Sequence, residues 1–241
     1  RDRLCYPGSM IVLLLACKGP SSTGPTDTDT DIQPALDVSE RLAPGEVRAG
    51  VIEDEAALFG GITAEGRLGD FKIYNDRVQF VIQADRIGSY YLELGGGVID
   101  ADIVRPEGEP GRDYVEEWNV MLGFGRVTDP TSIEVIDNGS SGEAVIRVTG
   151  VDAPLSLLAG ALEAPELVRP QGLEVVTEYR LRPDSLLLEV STTVTATSER
   201  LNTFGMGDLL LGAPELADSW TGGSGFAQAL GEKPITGYIG S

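Results

Sequence analysis

From Gly45 onward, apolar and polar residues alternate with a period of two, which is the pattern of half-buried β-strands. The segments 71–74 and 77–82 show this alternation, with Asn75 and Asp76 between them. Asn and Asp tolerate the positive φ that a two-residue turn requires. This part of the chain is therefore predicted to form a tight β-hairpin.

Two further hairpins are predicted downstream. The segments 133–136 and 144–148 alternate in the same way and enclose a polar, glycine-containing loop. The segments 173–181 and 185–197 are longer and rich in Val, Thr and Leu, which are residues that strands favour. Arg, Pro and Asp at 182–184 supply the turn between them.

Shorter apolar segments complete the set of predicted strands, at 90–94, 98–104, 120–124, 208–211 and 234–239. One segment, 155–162, has a helical composition, and prolines enclose it closely. Together these segments predict an all-β domain over residues 46–241. Its expected architecture is a large antiparallel β-sandwich of about 10–14 strands with little helix.

The apolar run 10–16 differs from this pattern and follows two arginines. Seven residues are too few to span about 30 Å of hydrocarbon, but such a run after basic residues is typical of a secretory signal. The run ends in Leu14-Leu15-Ala16-Cys17, which resembles the lipobox of bacterial lipoproteins. The resemblance implies a signal segment 1–16, cleavage before Cys17, and acylation of Cys17. The acyl chains would then hold the protein to a lipid bilayer.

The stretch 17–45 is rich in Thr, Asp and Pro and has few apolar residues. Such a composition cannot bury enough surface to fold, so we predict a disordered acidic tether behind the lipidated Cys17. The second cysteine, Cys5, lies in the segment that would be removed. The exported domain is therefore predicted to be stabilised by its core rather than by disulfides.

The charge balance and the histidine count narrow the range of functions. The formal net charge is −20, from 38 acidic and 18 basic residues, and such a field repels a phosphate backbone. We therefore predict no nucleic-acid partner. The chain has no histidine, so it cannot assemble a Ser-His-Asp or Cys-His nucleophile or a histidine-bearing zinc site.

Two sets of residues are candidates for ligand contacts. Asp100 and Asp102 follow three glycines and share one face of a predicted strand, where their oxygens can hold a hard cation such as Ca²⁺. The alternative is a glycine turn followed by solvated acids. Trp118 lies beside two glutamates, as aromatic residues on sugar-binding surfaces often do, and Trp220 lies in a glycine-rich loop as a second candidate ligand contact. The alternative for each tryptophan is a place in the core.

The fragments 67–82, 97–101 and 179–186 resemble the N-terminal β-domain of large bacterial lipoproteins. The C-terminal half of those proteins is often a PHP-type metal-dependent phosphoesterase. The third fragment also resembles strands of supersandwich folds of the galactose-mutarotase type. The resemblance covers about residues 60–215 and implies a supersandwich-like arrangement. It carries over no catalytic residue, because both families rely on histidines.

These observations favour a noncatalytic β-sandwich module of the bacterial cell envelope. We expect it to bind an envelope ligand such as a glycan, or to position a downstream domain. Lys18 follows the lipidated cysteine in place of the Asp that retains lipoproteins at the inner membrane, so an outer-membrane location is expected. Since the chain closes at Ser241 within a predicted strand, we expect it to be truncated there. The alternative function is an accessory part of a metal-dependent hydrolase whose catalytic half lies beyond Ser241.

Overall fold

The computed structural model describes most of the chain after residue 35. The described residues are 36–88, 91–123, 125–156, 169–197, 205–212, 219–221, 225–227 and 237–238, the last three ranges by their backbone. The predicted signal segment, Cys17 and most of the predicted tether lie outside them. No helix within the described ranges is long and apolar enough to cross a membrane.

Regular structure in the described residues consists of strands and one 3₁₀ turn, Glu55–Ala57. The strands in chain order are β1 (Val47–Val51), β2 (Phe71–Asn75), β3 (Val78–Ile82), β4 (Val98–Ile103), β5 (Val115–Leu122), β6 (Arg126–Asn138), β7 (Ala144–Pro154), β8 (Leu173–Leu181), β9 (Glu189–Ala196), β10 (Met206–Gly212), β11 (Ser219–Thr221), β12 (Gly225–Ala227) and β13 (Gly237–Tyr238).

These strands form two main antiparallel sheets. The first has the order β1-β2-β3-β4-β5-β10 and the second the order β6-β7-β8-β9. A small third sheet has the order β12-β11-β13. The two main sheets share an apolar core, as in a sandwich, and the prediction of an all-β antiparallel fold is confirmed.

The first predicted hairpin forms from β2 and β3, but its turn differs from the prediction. Asp76 and Arg77 occupy the turn, and among the described residues only glycines have positive φ. The expected positive φ at Asn75 and Asp76 is therefore wrong. Instead, the side-chain oxygen of Asn75 accepts hydrogen bonds from the backbone N–H groups of Arg77 (2.8 Å) and Val78 (2.9 Å). A side chain thus closes the turn without unusual backbone angles.

The other two hairpins also form. Strands β6 and β7 are longer than predicted and pair along most of their length, with two register shifts. Strand β8 has the predicted bounds, whereas β9 begins at Glu189 because residues 182–188 form a longer connection. Asn75 fixes that connection by donating hydrogen bonds to the carbonyls of Arg182 (3.0 Å) and Ser185 (2.7 Å).

The short predicted segments have mixed outcomes. The segments 98–104, 120–124 and 208–211 match β4, the end of β5 and β10. The segment 90–94 forms no strand over its described residues, 91–94. The predicted helix 155–162 and the segment 234–239 fall mostly outside the described residues.

The main core lies between the two sheets. Ile73 and Ile82 of the first sheet pack against residues of the second sheet such as Ile146. Tyr179 is fully buried there and donates a hydrogen bond to the carbonyl of Gly96 (2.6 Å). Gly96 has φ +85°, and a Cβ at this position would lie 2.8 Å from Val148 Cγ1. The glycine turn before β4 is therefore packed against the opposite sheet.

Loops cover the outer face of the first sheet and form a third layer. Val38 and Leu42 are buried against Ile52, Tyr74 and Ile99. Residues 36–45, predicted as the end of the tether, thus belong to the folded domain. The buried side chains of Val38 and Leu42 dock this polar stretch onto the sheet, together with the hydrogen bond from the Tyr74 hydroxyl to the carbonyl of Glu40 (2.8 Å).

Candidate functional site

Asp100 and Asp102 lie on one face of β4, as predicted, and both face the third layer. Asp100 accepts hydrogen bonds from the N–H groups of Glu65 (2.7 Å) and Gly66 (2.9 Å). Asp102 forms a two-point ion pair with Arg105 at 2.9 and 2.8 Å. Both carboxylates therefore already have partners within the protein. Calcium binding by this pair stays a prediction, and no group of three or more acidic or cysteine side chains suited to a metal occurs in the described residues.

Two more buried carboxylates face the same layer, and the sequence reasoning did not single them out as sites. Asp113 accepts hydrogen bonds from Ala101 N (2.8 Å), Val115 N (3.1 Å) and the Thr63 hydroxyl (3.0 Å). Glu117 of β5 accepts hydrogen bonds from the N–H groups of Tyr91 and Leu92 at 3.0–3.1 Å.

These carboxylates act as clamps that tie loops to the first sheet. Burial raises the pKa of Asp100 to about 7, that of Asp113 to about 6 and that of Glu117 to about 7, although the hydrogen bonds that each accepts oppose the shift. Raised carboxyl pKa values often mark catalytic acids, but here each group is engaged with loop backbone. Their role in this geometry is structural.

The two tryptophans occupy different parts of the structure. Trp118 of β5 is half-buried between the sheets and meets Tyr179 edge-on, with 6.1 Å between ring centroids. Its ring therefore contributes to the core. Trp220 lies on β11, opposite Phe226 of β12, and only its backbone is described. Ligand contact by either tryptophan stays a prediction.

A cavity of about 290 Å³ opens between the outer face of the first sheet and the third layer. Strand β2 contributes Lys72 and Tyr74, and the cross-strand neighbours Gln79 and Asp102 of β3 and β4 continue the wall. The remaining lining residues come from the covering loops, chiefly Arg41, Leu42, Leu58, Phe59 and Glu109. We call this cavity the Lys72 pocket.

Lys72 is one of three lysines in the chain, with Lys18 and Lys233. Its side chain is only 6% exposed. The Nζ atom donates a hydrogen bond to the carbonyl of Ala57 (2.7 Å) and lies 4.6 Å from the ring centroid of Tyr74 and 5.9 Å from that of Phe59. An ammonium group has three donors, and this hydrogen bond uses one of them.

Lys72 forms no ion pair with any described residue. The nearby acids are engaged elsewhere: Glu40 pairs with Arg48 at 2.8 Å, and Asp102 pairs with Arg105. Burial lowers the pKa of Lys72 to about 8, and the charge of Asp37 opposes this shift only in part. At neutral pH most molecules therefore hold a buried ammonium ion that has no ion-pair partner among the described residues.

Comparisons of the chain with protein-family models, with curated proteins and with solved structures returned no match. The resemblances to lipoproteins and to supersandwich domains remain predictions from the quoted residues.

The sequence reasoning did not single out Lys72 as a site residue. In a period-two strand, a lysine between Phe71 and Ile73 indicates a solvated face. The one signal available was that Lys72 is a polar residue in a strand that also contains Tyr74, which is buried. Only the tertiary structure shows that loops cover this face and leave a pocket around the ammonium group.

Proposed function

We propose that this chain is a noncatalytic, lipid-anchored module of the bacterial cell envelope and that it binds a glycan in the Lys72 pocket. The observation that carries the proposal is a buried ammonium group at the wall of an open cavity, with no ion-pair partner among the described residues. Burying such a charge is costly, and ionisable groups whose pKa values are shifted by burial cluster at functional sites.

The wall of the pocket suits a sugar ring. Leu58 and Phe59 offer apolar and aromatic surface, while Gln79 and Glu109 offer polar groups for hydroxyls. A volume of about 290 Å³ lies at the small end of the range of about 300–1,000 Å³ for ligand pockets. This size corresponds to one ring rather than to an extended chain.

The arrangement of the other polar groups supports binding rather than catalysis. Three carboxyl groups with raised pKa values, Asp100, Asp113 and Glu117, tie loops to the first sheet through the hydrogen bonds that they accept. Lys72 is mostly protonated at neutral pH, and an ammonium ion suits contact with an anionic group of a ligand. That this chain positions a downstream hydrolase stays a prediction. The sequence of the complete reading frame would test it.

A glycan array probed with the full chain tests the binding proposal. We expect a limited set of glycans to retain the protein and the Lys72→Met variant to lose them. Retention of no glycan, or equal retention of both proteins, contradicts the proposal.

The location is tested by a Cys17→Ser variant expressed in a bacterial host. We expect loss of acyl labelling and release from the membrane fraction, because the acyl chains supply the affinity for the bilayer. Cys5→Ser is the matched control and should remain in the membrane, since Cys5 lies in the predicted signal segment. Unchanged fractionation of the Cys17→Ser variant would refute lipid anchoring.

A further inference from the structure

We infer that the sugar bound in the Lys72 pocket carries a carboxylate, so that the ligand is an acidic sugar of the uronic-acid class. This inference rests on the proposed function and specifies its ligand. The carboxylate would lie against Lys72 Nζ, and the ring would lie against the wall formed by Leu58 and Phe59.

The charge of Lys72 is the first feature that points to a carboxylate. Lys72 Nζ has one hydrogen bond to the protein, to Ala57 O, and forms no ion pair in the described residues. The rings of Tyr74 and Phe59 give partial compensation through their π faces. A ligand carboxylate supplies both an opposite charge and acceptors for the remaining N–H groups. Hydrogen bonds between charged partners are about twice as strong as neutral ones.

The charges around the pocket limit the ligand to a single negative charge. The lining holds three carboxylates, Glu40, Asp102 and Glu109, and three cations, Arg41, Lys72 and Arg105. Outside the lining, Arg48 pairs with Glu40. The lining residues and this ion-pair partner together therefore carry one excess positive charge. A dianion such as a phosphate monoester would exceed this charge, whereas a monoanionic carboxylate balances it.

The apolar and polar sides of the pocket determine the neutral part of the ligand. The lining residues Leu42, Leu58 and Phe59 pack on the apolar cluster of the third layer and give the pocket an apolar side. Gln79 lies on β3 directly across from Tyr74, and Asp102 lies across from Gln79, which gives a polar side. A sugar acid presents the same combination of an apolar ring face, hydroxyl groups and one carboxylate.

Calorimetric titration of the full chain tests the inference. The probes are methyl β-glucuronide, methyl β-glucoside, acetate and inorganic phosphate. We expect the glucuronide to bind at least about tenfold more tightly than each of the other three, because only it offers both the charge and the ring. Lys72→Met should bring its affinity down to that of the glucoside. Arg77→Met, which removes an exposed cation at the nearby hairpin turn, is the matched control and should bind as the unmodified chain does.

The outcomes separate the two proposals. Equal binding of glucuronide and glucoside, unaffected by Lys72→Met, overturns the acidic-sugar inference and leaves glycan binding standing. Preference for phosphate or acetate overturns the inference too, and indicates an anion site without sugar specificity. If none of the probes binds and the glycan array is also blank, both proposals fail. Circular dichroism confirms that each variant is folded, and Lys72→Gln replaces Lys72→Met if the latter is not.

Discussion

Replacement of Asp152 with alanine is expected to lower the free energy of unfolding by about 3–5 kcal/mol, because it removes a carboxylate that pairs with a buried arginine and accepts two backbone hydrogen bonds. Arg126 is 2% exposed, and its Nε atom lies 3.7 Å from Asp152 Oδ2. Asp152 also accepts hydrogen bonds from the N–H groups of Gln171 (2.7 Å) and Leu173 (2.8 Å). The carboxylate therefore joins the start of β6, the end of β7 and the entry into β8.

Urea denaturation followed by circular dichroism measures this loss. Glu174→Ala is the matched control, since Glu174 is an exposed acid next to Leu173, and its effect should stay within about 0.5 kcal/mol. Adding Arg126→Met to Asp152→Ala should restore part of the stability, because the cost of burying the guanidinium charge is then removed. A loss below about 1 kcal/mol in Asp152→Ala would show that this ion pair does not hold the strands together.

The Glu117→Gln variant is expected to be more stable than the unmodified chain at pH 8, by about 1–3 kcal/mol. Burial raises the pKa of Glu117 from 4.5 to about 7, so the folded state binds more protons than the unfolded state between these values. The stabilisation that Glu117 contributes to the folded state is therefore fully present below about pH 4.5, and it is lost as the pH rises through 7. Glutamine stays neutral, and its oxygen can still accept the hydrogen bonds from Tyr91 and Leu92.

Thermal unfolding at pH 5, 6.5 and 8 tests this expectation. The unmodified chain should be most stable at pH 5, since Asp100 and Asp113 titrate in the same direction. Glu117→Gln should show a smaller loss between pH 5 and pH 8, and the exposed control Glu93→Gln should follow the unmodified chain. If the Glu117→Gln variant is less stable than the unmodified chain at pH 8, the inference that burial disfavours the ionised form of Glu117 is contradicted.

The strands could be predicted because the alternation of apolar and polar residues along a half-buried strand is visible in the local sequence. The bounds of β8 follow directly from alternation over residues 173–181. Strand β5 was predicted only from residue 120 because Glu116, Glu117 and Asn119 break the apolar pattern. Glu117 and Asn119 are nevertheless buried, since loops cover the face to which they belong. A sheet with both faces covered no longer shows a clean alternation.

The pocket could not be predicted from the sequence because it depends on long-range packing. The sequence identified Asp100 and Asp102 by their spacing, and the structure does place them on one face of β4. Their partners, the N–H groups of Glu65 and Gly66 and the guanidinium of Arg105, depend on how the loops fold back over the sheet. Lys72 likewise becomes a candidate site residue only because the loops of the third layer cover the face of the sheet on which it lies.

We propose that the ammonium group of Lys72 is the contact between this protein and its ligand. Acetylation of the full chain, followed by mass spectrometry, measures the reactivity of each of its three lysines separately. We predict that methyl β-glucuronide slows acetylation of Lys72 while methyl β-glucoside does not, and that neither alters Lys18 or Lys233. Equal acetylation of Lys72 with and without the glucuronide, at concentrations that saturate binding in calorimetry, would contradict the claim.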